Sequence, residues 1–180
     1  ACQLAVSLNN LATVLGRKGN WAQGVIAVQD AKQVLNRQNA DGRVDFEAQE
    51  QLAITNNNLG QLLWSGAADS DAADRDAAVA AFRLAENLFR TQLQQSARRP
   101  ESLSRLAGVL HNLGLVYQTQ GSNAAAIDYM TEAMDLQAQA VKQVPFQKGY
   151  RINLEKHREL LDRILSQFKD TQELQGNGMP

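Results

Sequence analysis

Apolar residues in this chain recur at i, i+4, i+7 and i+11, the spacing that lines one face of a helix. Leu4, Leu8, Leu11 and Leu15 open the series, and Leu59 with Leu63 and Leu113 with Tyr117 continue it in two later copies. The copies align residue by residue. Leu4-Ala5 precedes Leu8-Asn9-Asn10-Leu11-Ala12, Leu52-Ala53 precedes Asn56-Asn57-Asn58-Leu59-Gly60, and Leu106-Ala107 precedes Leu110-His111-Asn112-Leu113-Gly114. The offsets are 48 (4 to 52) and 54 (52 to 106), so internal repetition organises the chain. Gly19 and Gly121 break the first and third copies, and a second amphipathic stretch follows each break. There a small, a larger and a small residue recur at one spacing: Gly24, Val28 and Ala31; Ala78, Phe82 and Ala85; Ala126, Met130 and Ala133.

This pattern is that of antiparallel helix pairs. Ala12, Gly60 and Gly114 on the first helix of each pair leave room for the second helix to approach, with Gly24, Ala78 and Ala126 at the facing positions. Leu15, Leu63 and Tyr117, together with Val28, Phe82 and Met130, fill the flanking gaps. Neither helix buries its stripe alone, so pairs must stack on neighbouring pairs. Seven helices are expected, at about 3–18, 21–38, 44–65, 73–97, 101–119, 122–143 and 148–170. Copy two has 18 residues from Gly60 to Ala78 where copy three has 12 from Gly114 to Ala126, and Ser65–Asp76 reads as an extended loop. After Pro145, Leu154, Leu161 and Leu165 fall in register with Leu106, Leu113 and Tyr117, each offset by 48, amid dense charge. That is the pattern of a terminal capping helix. The repeats span about 4–38, 52–92 and 106–140 and the cap about 148–170, one domain over 1–170, with residues 171–180 expected as a disordered tail.

Leu113-Gly114, Tyr117, Gly121, Ala126, Met130 and Ala133 resemble the tetratricopeptide repeat. The Asn-Leu-Ala/Gly form and the long period, against the usual 34 residues, look like the kinesin-light-chain class. Pro145 followed by Tyr150-Arg151 and Leu154 is similar to connectors in repeat arrays that follow kinase domains in bacterial signalling proteins. The resemblance covers about residues 4–168, with Gly24 standing where the family has alanine. It implies an all-α fold, a right-handed superhelical stack of three helix pairs plus the cap, and a concave groove lined by the first helices.

Composition narrows the function. Apolar residues at 44%, charged at 21%, only 6% aromatics and three prolines fit a folded helical protein better than a sheet. With 18 basic and 19 acidic residues the net charge is −1, and the one tight basic pair, Arg98-Arg99, reads as a solvated helix-end feature, so no nucleic-acid partner is expected. A single cysteine, Cys2, excludes an internal disulfide and a cysteine metal cage and fits a reducing, cytoplasmic setting. No apolar run reaches the roughly 20 residues of a membrane span, so no membrane partner is expected. The start has no methionine, no signal-peptide block and immediate helical periodicity, so the chain is expected to be an excerpt of something longer.

Catalytic signatures are missing: no phosphate loop, no nucleophile elbow, no His-Glu-x-x-His helix. Neither catalytic residues nor a cofactor is expected. His111 and His157 lie on separate helices without paired-ligand spacing, and His157, within Lys156-His157-Arg158-Glu159, reads as part of a solvated face, so no metal site is expected. Asp69, Asp71, Asp74 and Asp76 lack the central glycine and terminal glutamate of a calcium loop and read as a solvated loop with an aspartate helix cap. Trp21 and Trp64 flank inter-helix turns and read as packing anchors.

One polar feature repeats: Asn10, Asn58 and Asn112, each just before the Leu-Ala/Gly pair. Asparagine is a mediocre helix former, so three at one register need a reason. They either bond between helices to set the stack or, as the resemblance implies, form a ladder that contacts the backbone of a bound peptide, since an amide offers donors and an acceptor. Both can hold. Helical neighbours add Asn9, Thr13, Arg17, Asn57, Gln61, His111 and Leu115 as groove candidates. The expected function is a scaffold that binds a protein or peptide in the concave groove. A self-association or spacer module of a larger signalling protein, with a kinase as one possible neighbour, is the alternative, and oligomeric state is left open.

Overall fold

The computed structural model describes residues 2–39, 45–66, 72–95 and 99–176, and all of its regular structure is helical. The helices are α1 (Cys2–Arg17), α2 (Trp21–Asn39), α3 (Phe46–Gly66), α4 (Ala72–Gln95), α5 (Pro100–Thr119), α6 (Asn123–Gln143) and α7 (Lys148–Gly176). They follow the expected spans closely, because local chemistry marks their ends. Asp45 caps α3, its Oδ1 accepting the backbone N–H of Glu47 at 3.0 Å and of Ala48 at 3.2 Å. Pro100 occupies the first turn of α5, where a missing N–H costs nothing.

The turns after α1 and α5 are built identically. Gly19 and Gly121 take φ of 77° and 75°, a left-handed conformation that glycine adopts without penalty. Asn20 N–H then bonds Leu15 O and Ser122 N–H bonds Tyr117 O, each at 2.9 Å, closing the same six-residue cap.

The chain divides into two compact units, 1–97 and 98–180, each described by itself. In the first, α1 pairs with α2 and α3 with α4, and α3 packs on both helices of the preceding hairpin. Ala78, Phe82, Ala85 and Phe89 of α4 are buried, and two further core clusters lie around α1, α2 and α3. Ala5, Ala31, Leu35 and Ala48 form one, flanked by Leu8 and Leu52. Ala12, Ala27, Val28 and Leu62 form the other, flanked by Leu15, Trp21 and Leu59, so Trp21 is a packing anchor as expected. In the second unit α5 pairs with α6, and α7 packs on that hairpin through Leu160, Leu161 and Ile164 against Ala126 and Met130. Fully buried Gln137 fastens the three helices: its Oε1 accepts Ser104 Oγ–H at 2.9 Å and its Nε2 donates to Tyr150 O at 3.1 Å. Burial, then the neighbouring carboxylate of Glu101 and a hydrogen bond to it, raises the Tyr150 phenol above its usual range, only partly opposed by Arg105.

Several expectations change. The stripe of α1 only borders its buried face: Ala5, Asn9, Ala12 and Gly16 are buried, Leu8 and Leu15 pack half-buried at the edge of the core, and Leu4 and Leu11 face outward. Small residues point inward because α2 and α3 both approach this side closely. Of the extended loop expected over Ser65–Asp76, both flanks are helical: α3 continues to Gly66 and α4 begins at Ala72, so Asp74 and Asp76 lie in helix, and residues 67–71, with Asp69 and Asp71, lie outside the described residues. Alanine-rich sequence around the aspartates favours extending helix over looping. The tail expected from 171 is likewise helical to Gly176, since Thr171-Gln172-Glu173-Leu174-Gln175 contains no breaker, and 177–180 lie outside the described residues. His157 is not solvated but buried at 4% exposure, for reasons that belong to the site.

Candidate functional site: the first-helix faces

In the first unit, α1 and α3 lie side by side, and their polar residues divide into two sets. One set joins the helices. Asn9, only 3% exposed, donates from Nδ2 to Thr55 Oγ1 at 2.9 Å, and Thr55 Oγ1–H in turn donates to Gln51 O at 2.6 Å. Asn9 therefore sits in the helix contact, a correction to its place among the groove candidates. Its Oδ1 is buried without a protein partner among the described residues. The other set faces outward: Asn10, Thr13, Arg17 and Gln61 are exposed, and Asn57 and Asn58 are half-buried. Thr13 Oγ–H returns to Asn9 O at 2.9 Å, which fixes its rotamer. Buried Asn56, which sequence reasoning did not single out, bonds Leu52 O at 2.7 Å and accepts from Lys32 Nζ of α2 at 3.3 Å.

In the second unit the contact between α5 and α7 uses the same register. Asn9 and Thr55 are 46 residues apart, and so are His111 and His157, whose Nδ1 atoms lie 2.9 Å from each other. His111 holds the position of Asn9, and His157 that of Thr55, in the repeat. Burial, followed by the charge of Lys156, pushes His111 below its usual range, and burial, His111 and Lys156 together push His157 down to about 4. At neutral pH both rings are uncharged and one Nδ1–H donates to the other Nδ1. Buried His157 Nε2 has no partner among the described residues. The cheaper tautomer makes His157 the donor, leaving its Nε2 as a bare lone pair instead of an unsatisfied N–H. Farther along, Gln118 Nε2 donates to Gln167 Oε1 at 3.0 Å. Asn112 and Leu115 are half-buried, and Leu115 packs against the α5–α6–α7 core, which turns it away from a purely groove-facing role.

The structure thus puts Asn10 and Asn58 on adjacent helices of the first unit and Asn112 on α5 of the second, one residue C-terminal to each helix-joining position or its equivalent. The pairing of 9 with 55 and 111 with 157 escaped the sequence because its signal is a recurrence at 46 residues, not a helical spacing. Thr55→Val tests the joining role: it keeps the shape but strands a buried amide donor, and is expected to cost about 1–3 kcal/mol in urea unfolding. A second change, Asn9→Leu, is expected to recover part of that loss. No group of three or more His, Cys, Asp or Glu side chains suited to a metal ion occurs among the described residues.

Residues 106–143, which cover most of the α5–α6 hairpin, match the family model of the tetratricopeptide repeat. No curated protein matches the chain. Repeats of this family generally mediate protein–protein interactions. No helix among the described residues is long and apolar enough to cross a membrane.

Proposed function

We propose that the chain is a protein- or peptide-binding scaffold and that the outward first-helix faces, centred on Asn10, Asn58 and Asn112, contact the main chain of an extended segment. The observation that carries this is the division of labour within a polar run. Position 9 and its equivalent at 111 do the joining, and Asn10, one residue after the first of them, is exposed. Asn10 is exposed and Asn58 half-exposed on neighbouring helices, beside Thr13 and Gln61, with Arg17 the only charge among the candidates of this face. An uncharged row of amides and hydroxyls suits a peptide backbone, which presents alternating donors and acceptors and no net charge. The repeat of the asparagine register resembles that of the kinesin-light-chain class, which supports the same use.

The test selects peptides on the immobilised chain from a random library and measures their affinity for Asn10→Ala, Asn58→Ala and Asn112→Ala. Each substitution is expected to weaken binding about three- to tenfold, in line with roughly 1 kcal/mol per lost hydrogen bond, while the helical melt stays within about 2 °C. Unchanged affinity in all three variants removes this face from the function.

A further inference from the structure

The contact that seats α7 on α5 is made of two groups that take up protons, and its counterpart in the first unit is not. Between α1 and α3 the register is filled by the Asn9 amide and the Thr55 hydroxyl, neither of which gains charge on mild acidification. Between α5 and α7 it is filled by His111 and His157, with ring centroids 4.9 Å apart and Nδ1 atoms 2.9 Å apart.

That gap between two ring nitrogens holds one proton and not two. With His157 as donor, His111 accepts at Nδ1 and carries its own proton on Nε2, as a neutral imidazole must. A further proton then has two places to go, and both are costly. On His111 Nδ1 it sets two N–H groups head to head at hydrogen-bond distance. On His157 Nε2 it creates a buried N–H without an acceptor among the described residues. Exchanging the tautomers so that His111 takes the charge leaves that same buried N–H on His157. Nothing nearby offsets the charge. The groups that act electrostatically on the rings are each other and Lys156 of α7, which is itself positive, while α6 presents apolar Ala126 and Met130 to Leu160, Leu161 and Ile164 of α7.

The helix that has to yield is α7. Its first turn is fastened where Gln137 Nε2 donates to Tyr150 O, seven residues before His157. From His157 onward it is held by Leu160, Leu161 and Ile164 and by the exposed Gln118–Gln167 bond. Helices α5 and α6 do not depend on the imidazoles for their pairing, since they close at Gly114, where Met130 fills the space of the missing side chain.

We propose that the histidine pair is an acid-opened latch: a second proton on the pair frees α7 from His157 onward, while α5, α6 and the first unit keep their helices packed. Any buried histidine makes overall stability sensitive to acid. The geometry here adds the place that gives way, an α7 still tethered at Tyr150 with Ala126 and Met130 uncovered. A helix freed from its neighbours frays, so its amides become open to exchange.

Amide hydrogen exchange of the whole chain at pH 7 and pH 4.5, expressed as protection factors so that the intrinsic pH effect divides out, tests this. With His157 near 4 when docked and about 6.5 when free, protection over 158–168 is expected to fall about 50-fold. Amides of α5, α6, α1 and α3 are expected to change by less than about threefold. His111→Asn with His157→Thr installs the tie of the first unit at the same register and is expected to abolish the fall. The parent chain decides the matter even where that double variant folds poorly. Unchanged protection of α7 at pH 4.5 overturns the proposal. So does an equal loss across α5, α6 and α7, which is unfolding of the unit and not release of one helix. A fall that persists in the folded double variant overturns it as well, because acid then acts through other groups.

Discussion

Gly60→Ala is expected to destabilise the first unit by about 2 kcal/mol, although alanine is favoured over glycine in a helix by about 1 kcal/mol. A Cβ at this position would stand 2.6 Å from both Cδ1 and Cε1 of Phe82 and 2.9 Å from its Cγ. Those ring atoms are not a movable side-chain tip. Phe82 is almost wholly buried and its ring moves only as one rigid plane, so either the ring leaves its rotamer or α4 backs away from α3. Gly114 is the control at the same register. There the added Cβ would meet Met130 Sδ at 2.7 Å and Cγ at 2.9 Å, and an unbranched thioether with three rotatable bonds can move aside. Gly114→Ala is expected to stay within about 1 kcal/mol of the parent. Urea unfolding followed by helical circular dichroism measures both, and Phe82→Leu added to Gly60→Ala should return part of the loss. Equal costs at 60 and 114 would mean that the ring does not set the spacing of this pair.

The second large effect is acid sensitivity from the histidine pair. His157 titrates near 4 in the folded chain against about 6.5 when unfolded, because it is buried and faces His111 from α5 and Lys156 from its own helix. Between those values the unfolded chain binds more protons than the folded one, so stability rises with pH there. The contribution is fully present above about 6.5 and is lost progressively as pH falls toward 4. The difference in pKa corresponds to an upper figure of about 3 kcal/mol, and the coupling of the two rings makes it a property of the pair. Carboxylates elsewhere add their own pH dependence, so the diagnostic quantity is a difference. Unfolding free energies at pH 7 and pH 4.5 should diverge by about 2 kcal/mol more for the parent than for His157→Leu. Identical pH profiles would show that the pair is not buried as described.

The helical plan was legible because it is written locally. Asp45, Pro100, Gly19 and Gly121 mark helix ends by their backbone and capping chemistry, and each lies at an element boundary. The need for a small residue at Gly60 and Gly114 was equally readable, but the side chains against them are Phe82 and Met130, which the pattern placed in flanking gaps, with Ala78 and Ala126 facing. The inward stripe of large apolar residues holds at Leu106, Leu113 and Leu161 but not throughout α1. Leu4 and Leu11 carry the pattern of a buried face, yet the face that α2 and α3 cover is Ala5, Asn9, Ala12 and Gly16. Charge density around His157 suggested solvent, but helical rotation turns His157 inward between exposed Lys156 and Arg158. In the candidate site the register was visible and the roles within it were not. Which of two adjacent asparagines bonds across the helices depends on how α1 and α3 are rotated, a tertiary property that helical period alone does not set.

The central claim is that the outward asparagine row, not the inward one, meets a bound chain. Its most direct test is an NMR titration that follows the side-chain amide signals of asparagine while a library-selected peptide is added. The Asn10, Asn58 and Asn112 amides are expected to shift in step with occupancy while the Asn9 and Asn56 amides hold still. Saturation of the peptide with those three signals unmoved, or with the inward pair moving first, would contradict it.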